Sequence, residues 1–128
     1  MAKPAIHCNA HSGTSGNNTR TAAYAPATGT TAESINASSA VGTIALYGND
    51  GANQLTGNAS ANVIVGGGGA DTITGGAGAD NLDGGAGNDV FVIAAAADHA
   101  AGETITGGAD TDVIRFTSTS GQTLTLTA

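Results

Sequence analysis

Aromatic side chains are almost missing from this chain. It has no tryptophan, two tyrosines and two phenylalanines, 3% of 128 residues. A conventional globular core built on large side chains is therefore poorly supported. Basic residues are as scarce: only Lys3, Arg20 and Arg115 occur, and none lies between Thr21 and Ile114. With a net charge of −7, the chain is a poor match for nucleic acid or an anionic membrane, and a cation is the better partner. The single cysteine, Cys8, rules out an intramolecular disulfide framework. No apolar run approaches the ~20 residues of a transmembrane helix. The start, MAKPAIHCNAHSG, has no apolar signal-peptide core. H-E-x-x-H, G-x-S-x-G and the phosphate-binding G-x-x-x-x-G-K are all missing, and no acidic pair reads better as a general acid and base than as a cation site, so a non-catalytic protein is expected.

What is abundant is Ala, Gly, Thr, Asn and Ser. Such a chain cannot offset its ordering entropy by apolar burial alone, so an ion is the obvious additional stabiliser. The glycines are ordered. Residues 66–92 read GGGGADTIT, GGAGADNLD, GGAGNDVFV, three consecutive nine-residue units without insertion. Asp fills position six (Asp71, Asp80, Asp89) and an apolar residue position eight (Ile73, Leu82, Phe91). A flexible Gly-rich linker has no reason to keep that register. Stepping back by nine from Ile73 gives Ile64, Leu55 and Leu46, so the apolar column runs unbroken through six units. The earlier units, GNDGANQLT and GNASANVIV, keep the leading Gly but place Asn53 and Asn62 at position six.

Each unit splits into a six-residue turn and a three-residue strand. Period-two alternation points position eight inward and positions seven and nine outward. One unit buries nothing alone, and only stacking makes a core. Two units make one full coil, with successive turns on opposite edges. Asn53, Asp71 and Asp89 then share one edge, and Asn62 and Asp80 the other. Stacked carboxylates repel unless a counter-ion lies between them.

The nonapeptide G-G-x-G-x-D-x-U-x resembles the repeats-in-toxin (RTX) family of calcium-binding repeats. The resemblance implies an all-β fold: a right-handed parallel β-roll, or β-solenoid, of nine-residue half-turns with an irregular C-terminal cap. It implies several Ca²⁺ ions held between turns i and i+2 by Asp side chains and turn carbonyls. Carried onto this chain, the ligands are Asp71, Asp80 and Asp89 with the turn positions Gly66, Gly68, Gly75, Ala77, Gly84 and Ala86. Asn53 and Asn62 offer one neutral oxygen each, and Asp50 adds a carboxylate at the same end. Asp98, nine residues after Asp89, either completes the edge of Asp80 or caps a short helix or loop. In GGADTDVIR (107–115), Asp112 takes position six and Asp110 replaces the fourth-position glycine.

The expected divisions are a low-complexity segment 1–38, a β-roll 39–93 and a capping segment 94–128. His7, Cys8 and His11 are too few and too loosely placed for a zinc site. Three short matches to the glycosylation acceptor pattern (17–19, 36–38, 58–60) carry little weight in so Asn-, Ser- and Thr-rich a chain. TLTLT (123–127) alternates like a strand. Thr pairs at the outward positions, as at 72 and 74, are interrupted each time and do not form an ice-binding array. Two outward pairs are apolar, Val63 with Val65 and Val90 with Val92, which suggests cover by the termini or self-association. The resulting reading is an extracellular or cell-surface bacterial module, exported by a type I channel, whose folding calcium drives. The alternative is a self-assembling surface-layer, adhesin or filament protein ordered by calcium.

Overall fold

A computed structural model describes residues 22–23 and 32–117 of the chain. The histidine–cysteine cluster at 7–11, the acceptor pattern at 17–19 and the strand expected at 123–127 lie outside the described residues. Among the described residues no helix is long and apolar enough to cross a membrane.

The described chain is two parallel five-stranded sheets connected by alternating turns. In chain order the strands are β1 (Ala22–Ala23), β2 (Ser34–Asn36), β3 (Ile44–Tyr47), β4 (Gln54–Thr56), β5 (Val63–Gly68), β6 (Thr72–Thr74), β7 (Asn81–Ala86), β8 (Val90–Ile93), β9 (Thr104–Ala109) and β10 (Val113–Phe116). The first sheet has the order β1-β3-β5-β7-β9, and the second β10-β8-β6-β4-β2. Odd and even strands thus segregate, as a coil of two half-turns requires. The fold is a parallel β-roll.

Register follows from the nine-residue unit. Leu46 pairs with Ile64 and Ile64 with Leu82 in the first sheet; Leu55 pairs with Ile73 and Ile73 with Phe91 in the second. Each of these steps spans two whole units. All six of these side chains are buried, and they form one core cluster with Ile44 and Ala37. Half-buried Ile35, Ile105 and Ile114 continue the two columns at the ends. The chain compensates for small strands by placing its few large apolar residues at the one inward position, where stacking removes them from water.

The ladder continues past both expected boundaries. Ile35 pairs with Leu55 across a step slightly longer than two units, so β2 adds a rung before residue 39. After Ile93 the chain leaves the ladder through a loop that holds a 3₁₀ turn at Ala96–Asp98. It then rejoins after a step lengthened by five residues: Leu82 pairs with Ile105, and Phe91 with Ile114. The extra residues are absorbed at one edge, and the strands beyond resume the same two sheets. The C-terminal segment therefore carries two further rungs as well as an irregular loop.

Candidate metal centre

Each GGxGxD turn folds its Asp back over its own first glycine. A Cβ at Gly66 would collide with Asp71 Oδ2, and one at Gly75, Gly84 or Gly107 with Oδ2 of Asp80, Asp89 or Asp112. The second and fourth glycines hold the turn open: Gly67 and Gly69 lie at φ 110° and 87°, backbone that L side chains rarely adopt. Asp110, which stands where the other units have that fourth glycine, follows suit at φ 79°.

The two oxygens of each carboxylate have different fates. Oδ1 reaches the preceding turn on the same edge: Asn53 N donates to Asp71 at 2.7 Å, Asn62 N to Asp80 at 2.8 Å, and Asp71 N to Asp89 at 2.8 Å. Asp89 N donates to Asp112 at 3.0 Å, across the longer step. Oδ2 of Asp71, Asp80 and Asp89 is buried with no hydrogen-bond partner, although these residues are 1%, 1% and 0% exposed. A buried carboxylate oxygen without a donor is costly. Nearby lies another acceptor. The point that a Cβ on Gly66 would fill faces both Asp71 Oδ2 and the Gly84 carbonyl oxygen, at 2.5 Å from the latter. The same point at Gly84 faces Asp89 Oδ2 and the Gly107 carbonyl oxygen. Oxygen faces oxygen across a gap that only glycine leaves free.

Charge accumulates accordingly. Burial, reinforced by the Asp89 charge, pushes the Asp71 carboxyl up to about 6 against the pull of the Asn53 amide. Asp80 and Asp89 are also raised, mainly by burial; Asp98 adds to the effect at Asp80, and Asp112, Asp83 and Asp110 at Asp89. The only lysine and the two arginines of the chain are Lys3, Arg20 and Arg115, and of these Arg115 alone is described, exposed on β10.

Such a donor set fits a hard cation. Every candidate ligand is oxygen, the carboxylates are anionic, and the cradle is a gap between two acceptors. Calcium takes six to eight oxygens with flexible geometry, including main-chain carbonyls. Among the described residues no three acidic, histidine or cysteine side chains converge on one point. Carbonyls would therefore have to supply much of any coordination here.

The remaining sequence candidates fall at several places along the roll. Gly66, Gly75 and Gly84 are the buried first positions of the turns. Gly68 and Ala86 pair across adjacent coils, and Ala86 pairs with Ala109; Ala77 is half-buried at the third position on the opposite edge. Asp112 joins the column of Asp89. Asp50 is exposed beside Gly68. Asp98 accepts hydrogen bonds from Ala94 N at 3.1 Å and Ala95 N at 3.0 Å, so its carboxylate caps the loop. By register the residue stacked on Asp80 is Glu103, since Asn81 pairs with Thr104. Both Glu103 carboxylate oxygens are buried, and the Asp80 N–H faces them but falls short of a full hydrogen bond. Burial and then the Asp80 charge raise this group to about 7. Sequence reasoning missed Glu103. The signal was present, because Glu103-Thr104-Ile105-Thr106 repeats Asp71-Thr72-Ile73-Thr74 with the longer acid.

Asn53 and Asn62 keep the same side-chain oxygen contact. Glu33 N donates to Asn53 Oδ1 at 3.0 Å, and Ile44 N to Asn62 Oδ1 at 3.4 Å. Their second atom is a nitrogen donor in place of the orphan oxygen.

Comparison with known proteins gives one family. A family model described as the RTX calcium-binding nonapeptide repeat, in four copies, matches residues 47–80 and 56–91. No curated protein and no solved structure matches the chain.

Proposed function

Residues 47–91 carry RTX calcium-binding nonapeptide repeats, and from that premise we propose that this chain is a non-catalytic module whose folding is driven by several calcium ions seated between stacked turns. One observation carries the reading. The Oδ2 atoms of Asp71, Asp80 and Asp89 are buried, have no donor and lie over their own first glycines. A cation in these gaps supplies a positive charge there, whereas Arg115, the one described lysine or arginine, is exposed on β10. Asp71 and Asp89 serve one edge, with the Gly84 and Gly107 carbonyls. Asp80, with Glu103 stacked above it, serves the other.

Extracellular calcium modules bind at ~10⁻⁴–10⁻³ M, an affinity that leaves them empty in cytosol. Calcium-driven folding at that affinity suits a protein that is unfolded during export and ordered outside the cell, by the type I route that the family resemblance implies. The outward pairs Val63/Val65 on β5 and Val90/Val92 on β8 are only half-buried, on opposite sheets. They favour a second, compatible reading in which the folded module self-associates as part of a surface or filament assembly.

A calcium titration followed by far-UV circular dichroism tests the main reading. The expected outcome is a chain largely disordered in chelator and β-rich with calcium. Magnesium substitutes poorly, because it demands octahedral geometry and dehydrates reluctantly. A spectrum already β-rich in excess chelator and unchanged by calcium refutes the proposal.

A further inference from the structure

Two turns of the ladder are built differently from the rest. Gly48–Asn53 reads GNDGAN and Gly57–Asn62 reads GNASAN, both of the form G-N-x-x-A-N. Where the Asp-bearing turns place left-handed glycines at positions two and four, these place Asn49, Gly51, Asn58 and Ser60, none of which has positive φ. Position two closes the turn on itself. Asn49 Oδ1 accepts from Gly51 N at 2.8 Å, and Asn58 Oδ1 from Ser60 N at 2.9 Å. Asn58 Nδ2 also donates to the carbonyls of Ala40 at 3.0 Å and Gly42 at 2.9 Å, tying this turn to the one before it on the same edge.

Position six completes the contrast. The oxygen of each amide is occupied by a backbone N–H from the preceding turn, which fixes the orientation of the group: Nδ2 must face the other way. There Asn53 Nδ2 donates to Gly51 O at 2.6 Å, Asn49 O at 3.2 Å and Gly66 O at 3.5 Å. Asn62 Nδ2 donates to Gly75 O at 3.3 Å and Asn58 O at 3.4 Å. A Cβ on Gly48 would lie 2.7 Å from Asn53 Nδ2, and one on Gly57 2.8 Å from Asn62 Nδ2. This is the spot that the orphan Oδ2 holds in the Asp turns. The carbonyls that await a positive charge elsewhere here already receive one, the partial charge of amide hydrogens.

We infer that the G-N-x-x-A-N turns are metal-free clamps, in which the side-chain amides of Asn53 and Asn62 take the place of calcium. The inference rests on the calcium reading of the Asp turns and deepens it. Position six becomes the selector: Asp admits an ion, and Asn closes the gap with its own N–H groups. The N-terminal rungs are stacked without an ion and offer a template on which the calcium-dependent rungs assemble. Asp50, on the exposed side of the first clamp, has no ion to bind.

Calcium bound per full-length chain, measured by equilibrium dialysis at saturation, tests this. The double variant Asn53→Asp with Asn62→Asp opens two gaps, and should bind about one further ion per substituted turn at the oxygen-rich cradle. In chelator it should lose the residual β signal that the ion-free N-terminal rungs leave to wild type, and regain it with calcium. The double variant Asn53→Ala with Asn62→Ala, measured in the calcium-folded state, should bind as much calcium as wild type. If the alanine chain does not fold, the aspartate chain still decides, because its extra calcium is read with wild type as reference. Two results overturn the clamp alone: an unchanged stoichiometry in the aspartate variant, or a stoichiometry that falls in the folded alanine variant. A wild-type chain that binds no calcium overturns both readings.

Discussion

Replacing Asp71 by Asn should stabilise the calcium-free fold while weakening its response to calcium at that turn. In the wild-type chain Asp71 Oδ2 is buried, lacks a donor and faces the Gly84 carbonyl oxygen across the Gly66 gap. Its carboxyl is held at about 6, so it is still largely ionised at neutral pH. Asparagine keeps the oxygen that accepts from Asn53 N and turns the second atom into a donor, as at Asn53. Leaving a buried acceptor unpaired costs ~1–3 kcal/mol, and a made hydrogen bond contributes about 1. A gain of about 2 kcal/mol in the calcium-free fold is a shift of roughly 30-fold in the folding equilibrium. The assay is osmolyte-induced folding in chelator, followed by circular dichroism, since excluded osmolytes strengthen burial without supplying a cation. Asp71→Asn should fold at lower osmolyte concentration than wild type. In a calcium titration without osmolyte it should need more calcium, having lost an anionic ligand. Asp71→Ala, which loses the contact to Asn53 N as well, should gain nothing in chelator. If Asp71→Asn folds no more readily than wild type without calcium, the oxygen-against-oxygen argument fails.

Gly66→Ala places a methyl group in the gap between Asp71 Oδ2 and the Gly84 carbonyl; the backbone there has no positive φ, so the strain falls on that carboxylate and on the Gly84 peptide of the next coil, and calorimetry of the calcium-folded form should show at least one ion fewer. Equal stoichiometry would locate the ion elsewhere. Asp71 and Glu103, ordinarily at 3.8 and 4.5, rise to about 6 and about 7 on folding. The folded chain therefore binds more protons than the unfolded one between those values, and calcium-free stability is highest below the unfolded values and falls as pH rises through them toward 7. Circular dichroism in chelator should show β structure gained on acidification, and a loss on acidification contradicts the assignment. Finally, Val63→Thr with Val65→Thr keeps strand propensity and removes outward apolar cover. If the pair mediates association, light scattering of the calcium-bound form should shift toward monomer, and unchanged mass with unchanged stability means these faces are simply exposed.

The inward column and the two-edged arrangement of turns were legible from spacing alone, because a nine-residue unit maps directly onto strand pairing and all six expected core residues are buried. The stacking partner of Asp80 was not. Counting nine from Asp89 reaches Asp98, but the loop after Ile93 lengthens the coil and brings Glu103 there instead. Nothing local to Asp98 reveals that shift; the echo of Asp71–Thr74 in Glu103–Thr106 does. Asn53 and Asn62 were readable as neutral members of the acidic column. Which end of each amide faces the carbonyls was not, since the N–H groups that fix it belong to Glu33 and Ile44, a full coil earlier in the chain. The turn-closing role of Asn49 and Asn58 was not legible, because it is local and lies outside the period that made the repeat visible; Asn58 was read only as part of an acceptor pattern.

The constancy of the strand register has a kinetic consequence. Neighbouring strands are joined at steps of two units in the middle of the ladder, and at steps only a few residues longer at its ends. The loop closed on adding a rung is therefore nearly the same size wherever the rung lies, and its entropic cost grows only with the logarithm of that size. Each rung meets only its neighbours, so assembly can advance as a zipper whose per-step barrier is independent of overall length. In most β proteins, distant pairing makes larger sheets slower to form. Here an array lengthened by further two-unit coils should take longer in proportion to its rungs, while each step keeps the speed of the first.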